Sequence, residues 1–273
     1  MKVNKKHIRV SIVIPAYNEE RHVQACLQAI ARQTVAPFEV ILVDNNSSDS
    51  TITIARQFNF VRVLAAKEQG IVFARNVGFN AARGDVIGRI DADISLPPNW
   101  VEHITAFYQQ PENQNAVWSG RGFFYNVRFP HIVSWAYGLL AFRLNWLLTG
   151  HYTLWGSNMA ILKSQWQAVH SSVHNRTDIH EDLDLAMHVH QAGFKIMYDT
   201  RIQTNAELRR IHTHRDQLWG YLQWWPRTLR LHGYLTWVIC WFFGVLGLYA
   251  MTYVLVIADW FARRMLRRSP LPR

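Results

Sequence analysis

The chain has 273 residues, 49% of them apolar and 18% charged, with a formal net charge of +10. This composition excludes disorder as the main state, because disordered chains are poor in apolar residues and rich in charge. Two cysteines, Cys26 and Cys240, exclude a disulfide scaffold and suit a reducing compartment. Twelve Trp, ten Tyr and fourteen Phe point to a large core, a sugar or base site, or a membrane interface.

The start of the chain is basic, but its apolar run from Val10 to Ala16 is too short for a secretory signal and meets Asn18, Glu19 and Glu20. Residues 9–15 (RVSIVIP) form a β-branched run that stops at Pro15. Asn18 and Glu19 then open a helix to about Gln33, with Val23, Leu27 and Ile30 at helical spacing. Strands follow over residues 38–43, 60–64 and 86–90, with a helix over 69–83. Repeated βα units of this length predict a parallel sheet with helices on both faces. Ligands on such sheets gather beyond the carboxyl ends of the strands, where Pro15–Asn18, Asp44–Asp49 and Asp91–Asp93 fall.

The second half is less regular. Residues 116–124 read as a strand, 132–148 as an aromatic-rich helical stretch, and 154–162 as a strand or turn around Gly156. A helix over 181–191 stops before Gly193, a short strand covers 195–198, and an amphipathic helix covers 216–231. No internal repeat or low-complexity tract is present.

Asp91 and Asp93, one residue apart at a strand end, can face one cavity and hold a divalent cation through oxygen. An acidic turn or a helix cap is the competing reading, but Ile94, Leu96 and Pro97 do not suit a solvated loop. The clusters at 15–20 and 43–49 have their own local explanations, as a helix start and as a turn with an N-cap at Asp49 or Ser50. Three acids in four positions, Glu181, Asp182 and Asp184, open a helix. Dipole complementarity there is worth only about 0.3–1 kcal/mol, and mutual repulsion cancels part of it. A partly buried carboxylate among Leu183, Leu185 and Ala186 has the setting of a general base.

Taken in order, SIVIPAYNEE, ILVDNNSSDST, ARNVGFNAARGDVIGRIDAD, GSNMAI and HEDLDLAMHVHQAG resemble a family 2 glycosyltransferase of the GT-A fold, over about the first two hundred residues. The resemblance implies an α/β fold with a mostly parallel twisted sheet, and a nucleotide-diphospho-sugar donor. It implies that Pro15, Ala16, Tyr17 and Glu19 line the base and ribose pocket, with Asp44 accepting hydrogen bonds from the base. Arg75 would lie near the nucleotide, Asp91 at the ribose, and Asp93 on a Mg²⁺ or Mn²⁺ ion bridging the phosphates. Gly156, Ser157 and Asn158 would flank the transferred sugar, and Asp182 would be the catalytic base of an inverting displacement. Many relatives add a histidine ligand after the acidic helix, for which His212 and His214 are the candidates here. His131, His151, His170, His174, His188 and His190 show no metal-ligand spacing. The alternative class is a non-catalytic nucleotide-sugar-binding membrane protein on the same fold, against which Asp93 and Asp182 both argue.

Leu235–Ala258 carries no formal charge and has Trp237, Trp241 and Trp260 near its ends. As a helix it would be about 36 Å long, enough to cross a hydrocarbon core about 30 Å thick. An arginine cluster from Arg263 follows it, suiting anionic lipid headgroups more than nucleic acid, which a basic balance alone does not separate from them. Arginines flank the run on both sides, so the positive-inside rule does not choose between a straight span and a re-entrant hairpin bent at Gly244 and Gly247. The expected organisation is a catalytic domain over 1–232 on the cytosolic face of a plasma or inner membrane, then a membrane segment and basic tail over 233–273. The expected acceptor is a lipid or lipid-linked glycan, with Trp135, Tyr137, Trp146, Tyr152 and Trp155 as candidate platform residues of which at least half are core.

Overall fold

The structure, a computed structural model, describes residues 8–206 and 215–234. The apolar run at 235–258, the arginine cluster after it, and His212 and His214 lie outside the described residues. Among the described residues no helix is long and apolar enough to cross a membrane.

Seven strands form one mixed sheet in the order β3-β2-β1-β4-β6-β5-β7. They are β1 (Val10–Ala16), β2 (Glu39–Asp44), β3 (Val61–Ala65), β4 (Val86–Arg89), β5 (Ala116–Phe124), β6 (Met159–Leu162) and β7 (Lys195–Ala206). β1 to β4 pair in parallel, as the βα repeats require, while β6 runs antiparallel to both β4 and β5. The helices are α1 (Val23–Ala31), α2 (Thr51–Ala55), α3 (Ile71–Ala81), α4 (Trp100–Gln109), α5 (Pro130–Gly138), α6 (Asn145–Thr149), α7 (Lys163–Val169), α8 (Glu181–Gln191) and α9 (Arg215–Leu231). A π-helical stretch over Leu139–Leu144 joins α5 to α6.

Both faces of the sheet are covered, which is why its strands read as unbroken apolar runs. Val10, Ile12, Ile14 and Ala16 of β1 join Val23, Leu27 and Ile30 of α1 and Trp100 and Ile104 of α4 in one core. Val13, one residue out of phase, joins Ile41, Val43, Phe79 of α3, Trp166 of α7 and Leu185 of α8 in the other. Each such aliphatic side chain, fully buried, contributes about 1.5–3 kcal/mol.

Two elements differ clearly from the sequence reading. Helix α1 starts at Val23 rather than at Asn18, because residues 18–22 form a turn in which Asn18 has a φ of 54°. The strand expected to end at Tyr198 continues to Ala206, its later part alternating buried Ile202, Thr204 and Ala206 with exposed polar residues. The segment 154–162, read as a strand or turn, contains both: a turn at Gly156 and Ser157, then the four-residue β6.

Candidate active site

The sheet topology assembles the site. Parallel pairing brings the carboxyl ends of β1, β2 and β4 to one edge. Antiparallel β6 delivers its amino end there, with Met159 opposite Arg89. The turn 156–158 therefore lies beside the turn 91–93.

A cavity of about 260 Å³ opens at this edge, lined by Pro15, Ala16, Tyr17, Glu19, Asn45, Gln69, Gly70, Ile71, Ala74, Asp91 and Ala92. Its rim is braced by hydrogen bonds between the loops after β1 and β2. The Asn18 N–H donates to Ser47 Oγ at 3.1 Å, and the Glu19 N–H to Thr51 Oγ1 at 2.7 Å. Asn45 crosses to the next loop: its Nδ2 donates to the Glu68 carbonyl at 2.6 Å, and its Oδ1 accepts the Gly70 N–H at 2.7 Å. Gly70 and Ile71 begin α3, so the positive end of a helix dipole borders the cavity. A larger groove, about 540 Å³, lies at the opposite end of the strands around Phe38, Glu39, Arg62 and Arg83, away from every acidic motif described above.

Next to the cavity is a buried ionic network centred on Arg89, the last residue of β4, whose side chain is 1% exposed. Its Nη1 lies 2.7 Å from Glu181 Oε1 and 2.7 Å from Asp182 Oδ1, and its Nη2 is 3.3 Å from Asp91 Oδ1. Arg75, fully buried on α3, donates from Nη1 to Glu181 Oε2 at 2.6 Å and to the Glu181 carbonyl at 3.1 Å. Asp182 Oδ2 accepts the Gly156 N–H at 3.0 Å. A Cβ on Gly156 would overlap the Asp182 carboxylate and Arg89 Nη1, so only glycine permits this approach.

Two guanidinium groups here face three carboxylates, and the surplus negative charge divides them. Burial opposes ionisation of Glu181, but Arg89 and Arg75 outweigh it and hold Glu181 below the usual carboxylate range. Burial and the adjacent Glu181 charge push Asp182 up, against the pull of Arg89. Neighbouring carboxylates with pKa values driven apart are a pattern that acid–base sites share, which makes this pair the candidate.

Of the residues singled out by the motifs, Pro15, Ala16, Tyr17, Glu19 and Asp91 line the cavity. Asp44 is half-buried at the end of β2; its Oδ1 accepts the Ser47 N–H at 2.9 Å, and Asn45 rather than Asp44 is among the lining residues. Arg75 does not line the cavity; it is buried, with Nη1 on Glu181 and Nε donating to Asn76 Oδ1 at 3.0 Å. Asp93 is half-buried in the same turn as Asp91. Gly156 touches Asp182, and Ser157 is half-buried beside it. The Asn158 side chain turns into the core, accepting Trp100 Nε1–H at 2.7 Å and donating to the Arg121 and Ile202 carbonyls. Trp155 is buried, Tyr137 and Tyr152 are half-buried, and Trp135 and Trp146 are 63% and 45% exposed. Sequence reasoning missed Arg89 and Asn45. The signal for Arg89 was a lone cation inside the apolar strand VIGRI, whose buried charge requires acidic partners.

Residues 11–166, more than half of the chain, match the family described as Glycosyl transferase family 2. The chain belongs to that family. Over 100 residues it is 39% identical to the glycosyltransferase AglE of Haloferax volcanii, covering 34% of this chain and 33% of that protein. Over 97 residues it is 36% identical to a chondroitin synthase of Escherichia coli, covering 34% of this chain and 14% of that protein. The matches thus span a third or less of either relative. Among solved structures, S. aureus TarS 1–349 in complex with UDP-GlcNAc superposes with a TM-score of 0.61 at 18% identity, over 82% of this chain and 65% of that one. The mannosyltransferase PcManGT of Pyrobaculum calidifontis, in complex with GDP-Man and Mn²⁺, gives 0.58 at 19%, over 80% and 60%. At such identities the likeness shows the fold, a GT-A-like α/β architecture with a mostly parallel mixed sheet.

Proposed function

We propose that the chain transfers a sugar from a nucleotide-diphospho-sugar to an acceptor hydroxyl by a single inverting displacement, with Asp182 as the general base. The observation that carries this reading is the fixing of the Asp182 carboxylate at two points, Arg89 Nη1 and the Gly156 N–H, beside the cavity bordered by Asp91. A carboxylate with a raised pKa, once ionised, accepts a hydroxyl proton more readily than an ordinary carboxylate.

Other residues take supporting roles. Pro15, Ala16, Tyr17 and Glu19 hold the nucleobase and ribose, with Asp44 and Asn45 shaping the loop behind them. The start of α3 faces the negative phosphates. Gly156 and Ser157 leave room for the sugar. The donor set fits a divalent cation: Asp91 and Asp93 offer hard oxygen atoms, suited to Mg²⁺ or Mn²⁺, beside a network with surplus negative charge. Asp93 would hold that ion, which when bound supplies charge neutralisation to the diphosphate leaving group.

The acceptor in this reading is a hydroxyl on a lipid or lipid-linked glycan at a membrane. The exposed Trp135 and Trp146 and the apolar run at 235–258 support it. The catalytic domain over 1–232 then faces the cytosol, with residues 233–273 as the membrane segment and basic tail. The test is to mix the purified full chain with UDP- and GDP-linked sugars, with and without lipid extract, and to measure released nucleoside diphosphate. Release from one donor, stimulated by the extract, is the predicted result. A folded protein that binds donors but turns over none of them would overturn the proposal.

A further inference from the structure

On the far side of α8 from Asp182 a second cluster forms that the transfer reaction does not use. Asp182 and Asp184 are two residues apart, about 200° around the helix, so their carboxylates serve different faces. Asp184 is fully buried, and three imidazoles converge on it. His174 Nδ1 lies 2.7 Å from Asp184 Oδ1, His232 Nε2 2.8 Å from the same oxygen, and His188 Nε2 3.6 Å from it. His188 Nε2 is also 3.2 Å from His174 Nδ1. One ligand atom from each of the four residues fits within a 4.8 Å span.

We propose that His174, Asp184, His188 and His232 form a structural zinc site that pins the end of α9 to α8. In a tetrahedral zinc site with arms of about 2.0–2.1 Å, ligand atoms stand about 3.3 Å apart, and the observed separations straddle that value. Three ring nitrogens aim at one carboxylate oxygen, and two of them stand 3.2 Å apart, so four possible ligand atoms converge on one point. A cation at the centre satisfies all four groups at once.

The ligand chemistry is specific. Three imidazoles and one carboxylate suit zinc, whereas Mg²⁺ and Ca²⁺ prefer all-oxygen sets. Four protein ligands close the coordination sphere, as structural zinc sites do, so no position remains for substrate. The outer contacts fit too: the His174 N–H donates to Asp184 Oδ2 at 3.0 Å, leaving Oδ1 for the metal, and Gln191 Nε2 lies 3.4 Å from His232 Nδ1, on the side of the ring away from the cluster. His174 is 34% exposed, which gives an ion a route in. The ligands join segments far apart in sequence. Asp184 and His188 share one face of α8, His174 precedes that helix, and His232 follows α9. Only the packing of α9 on α8, helped by the His180 N–H donating to Thr228 Oγ1 at 2.9 Å, brings His232 in.

The test uses the full chain purified without chelator. About one zinc per chain should survive dialysis, and Co²⁺ exchanged into the site should show the visible absorption of a tetrahedral ion. Stripping the metal should lower the Tm, with Zn²⁺ but not Mg²⁺ restoring it. His188→Gln and His232→Asn should each lose the bound zinc, while Asp93→Ala should keep it. A wild-type protein that holds no zinc, gives no tetrahedral Co²⁺ spectrum and gains no Tm from added Zn²⁺ would overturn the proposal. Zinc retained in both histidine variants would overturn it equally, by placing the metal elsewhere.

Discussion

Arg89→Met is the substitution that most directly probes the network around the proposed base. Methionine keeps much of the length and volume of arginine but removes the charge. Arg89 is 1% exposed and reaches Glu181, Asp182 and Asp91, so its loss leaves three carboxylates facing Arg75 alone. Breaking a buried ion pair by removing one partner costs about 3–5 kcal/mol. Arg75 still holds Glu181 at 2.6 Å, and Asp182 can relieve its charge by taking up a proton, so the lower end, about 3 kcal/mol, is predicted near neutral pH. The penalty should shrink as the pH falls, because protonated carboxylates no longer need the cation. Urea unfolding followed by tryptophan fluorescence measures it, as a shift in midpoint at unchanged slope. Arg176→Ala, which removes a surface pair with Asp178, serves as the control and should leave the midpoint nearly unmoved. A loss below about 1 kcal/mol for Arg89→Met, the range of exposed pairs, would refute the reasoning.

Other outcomes follow from the same geometry. The acidic limb of the turnover profile should lie above the usual carboxylate range, with activity falling as the pH drops and Asp182 takes up its proton. Because the Glu181 charge helps raise Asp182, Glu181→Gln should move that limb to lower pH, and a limb that stays put would separate Asp182 from the profile. Gly156→Ala should cut turnover by tenfold or more while leaving the fold intact, since the added Cβ displaces the Asp182 carboxylate, and near-normal turnover would contradict the packing described. EDTA should abolish transfer, with Mg²⁺ or Mn²⁺ restoring it in the wild type but not in Asp93→Ala; full activity in EDTA would remove the cation from the account.

Local patterns carried much of the fold. Strand β5 and helix α8 fall at the boundaries their periodicity predicts, because each is bounded by strong local signals. Strand β7 ran past its predicted end because half its later residues are polar and exposed, so only their alternation marks them as strand. The antiparallel insertion of β6 has no local signature, yet it places Gly156 against Asp182. The cavity-lining residues Pro15, Ala16, Tyr17 and Glu19 were legible as a motif at a strand end. Arg89 was hidden as a single cation in an apolar run. The histidine cluster was illegible for a different reason. Its members span residues 174 to 232, and only Asp184 and His188 share a helical face.

In the proposed reaction Asp182, and not its neighbour Asp184, removes the acceptor proton. Donor affinity and single-turnover rate, measured side by side for Asp182→Asn and Asp184→Asn, test it most directly. Asp182→Asn should bind donor with near-normal affinity and lose turnover by a hundredfold or more, because the loss belongs to the transition state. Asp184→Asn should mainly lower the Tm, through the histidines Asp184 holds, while the folded fraction still turns over. Near-normal turnover in Asp182→Asn together with a collapse in folded Asp184→Asn would contradict the account and reassign the base.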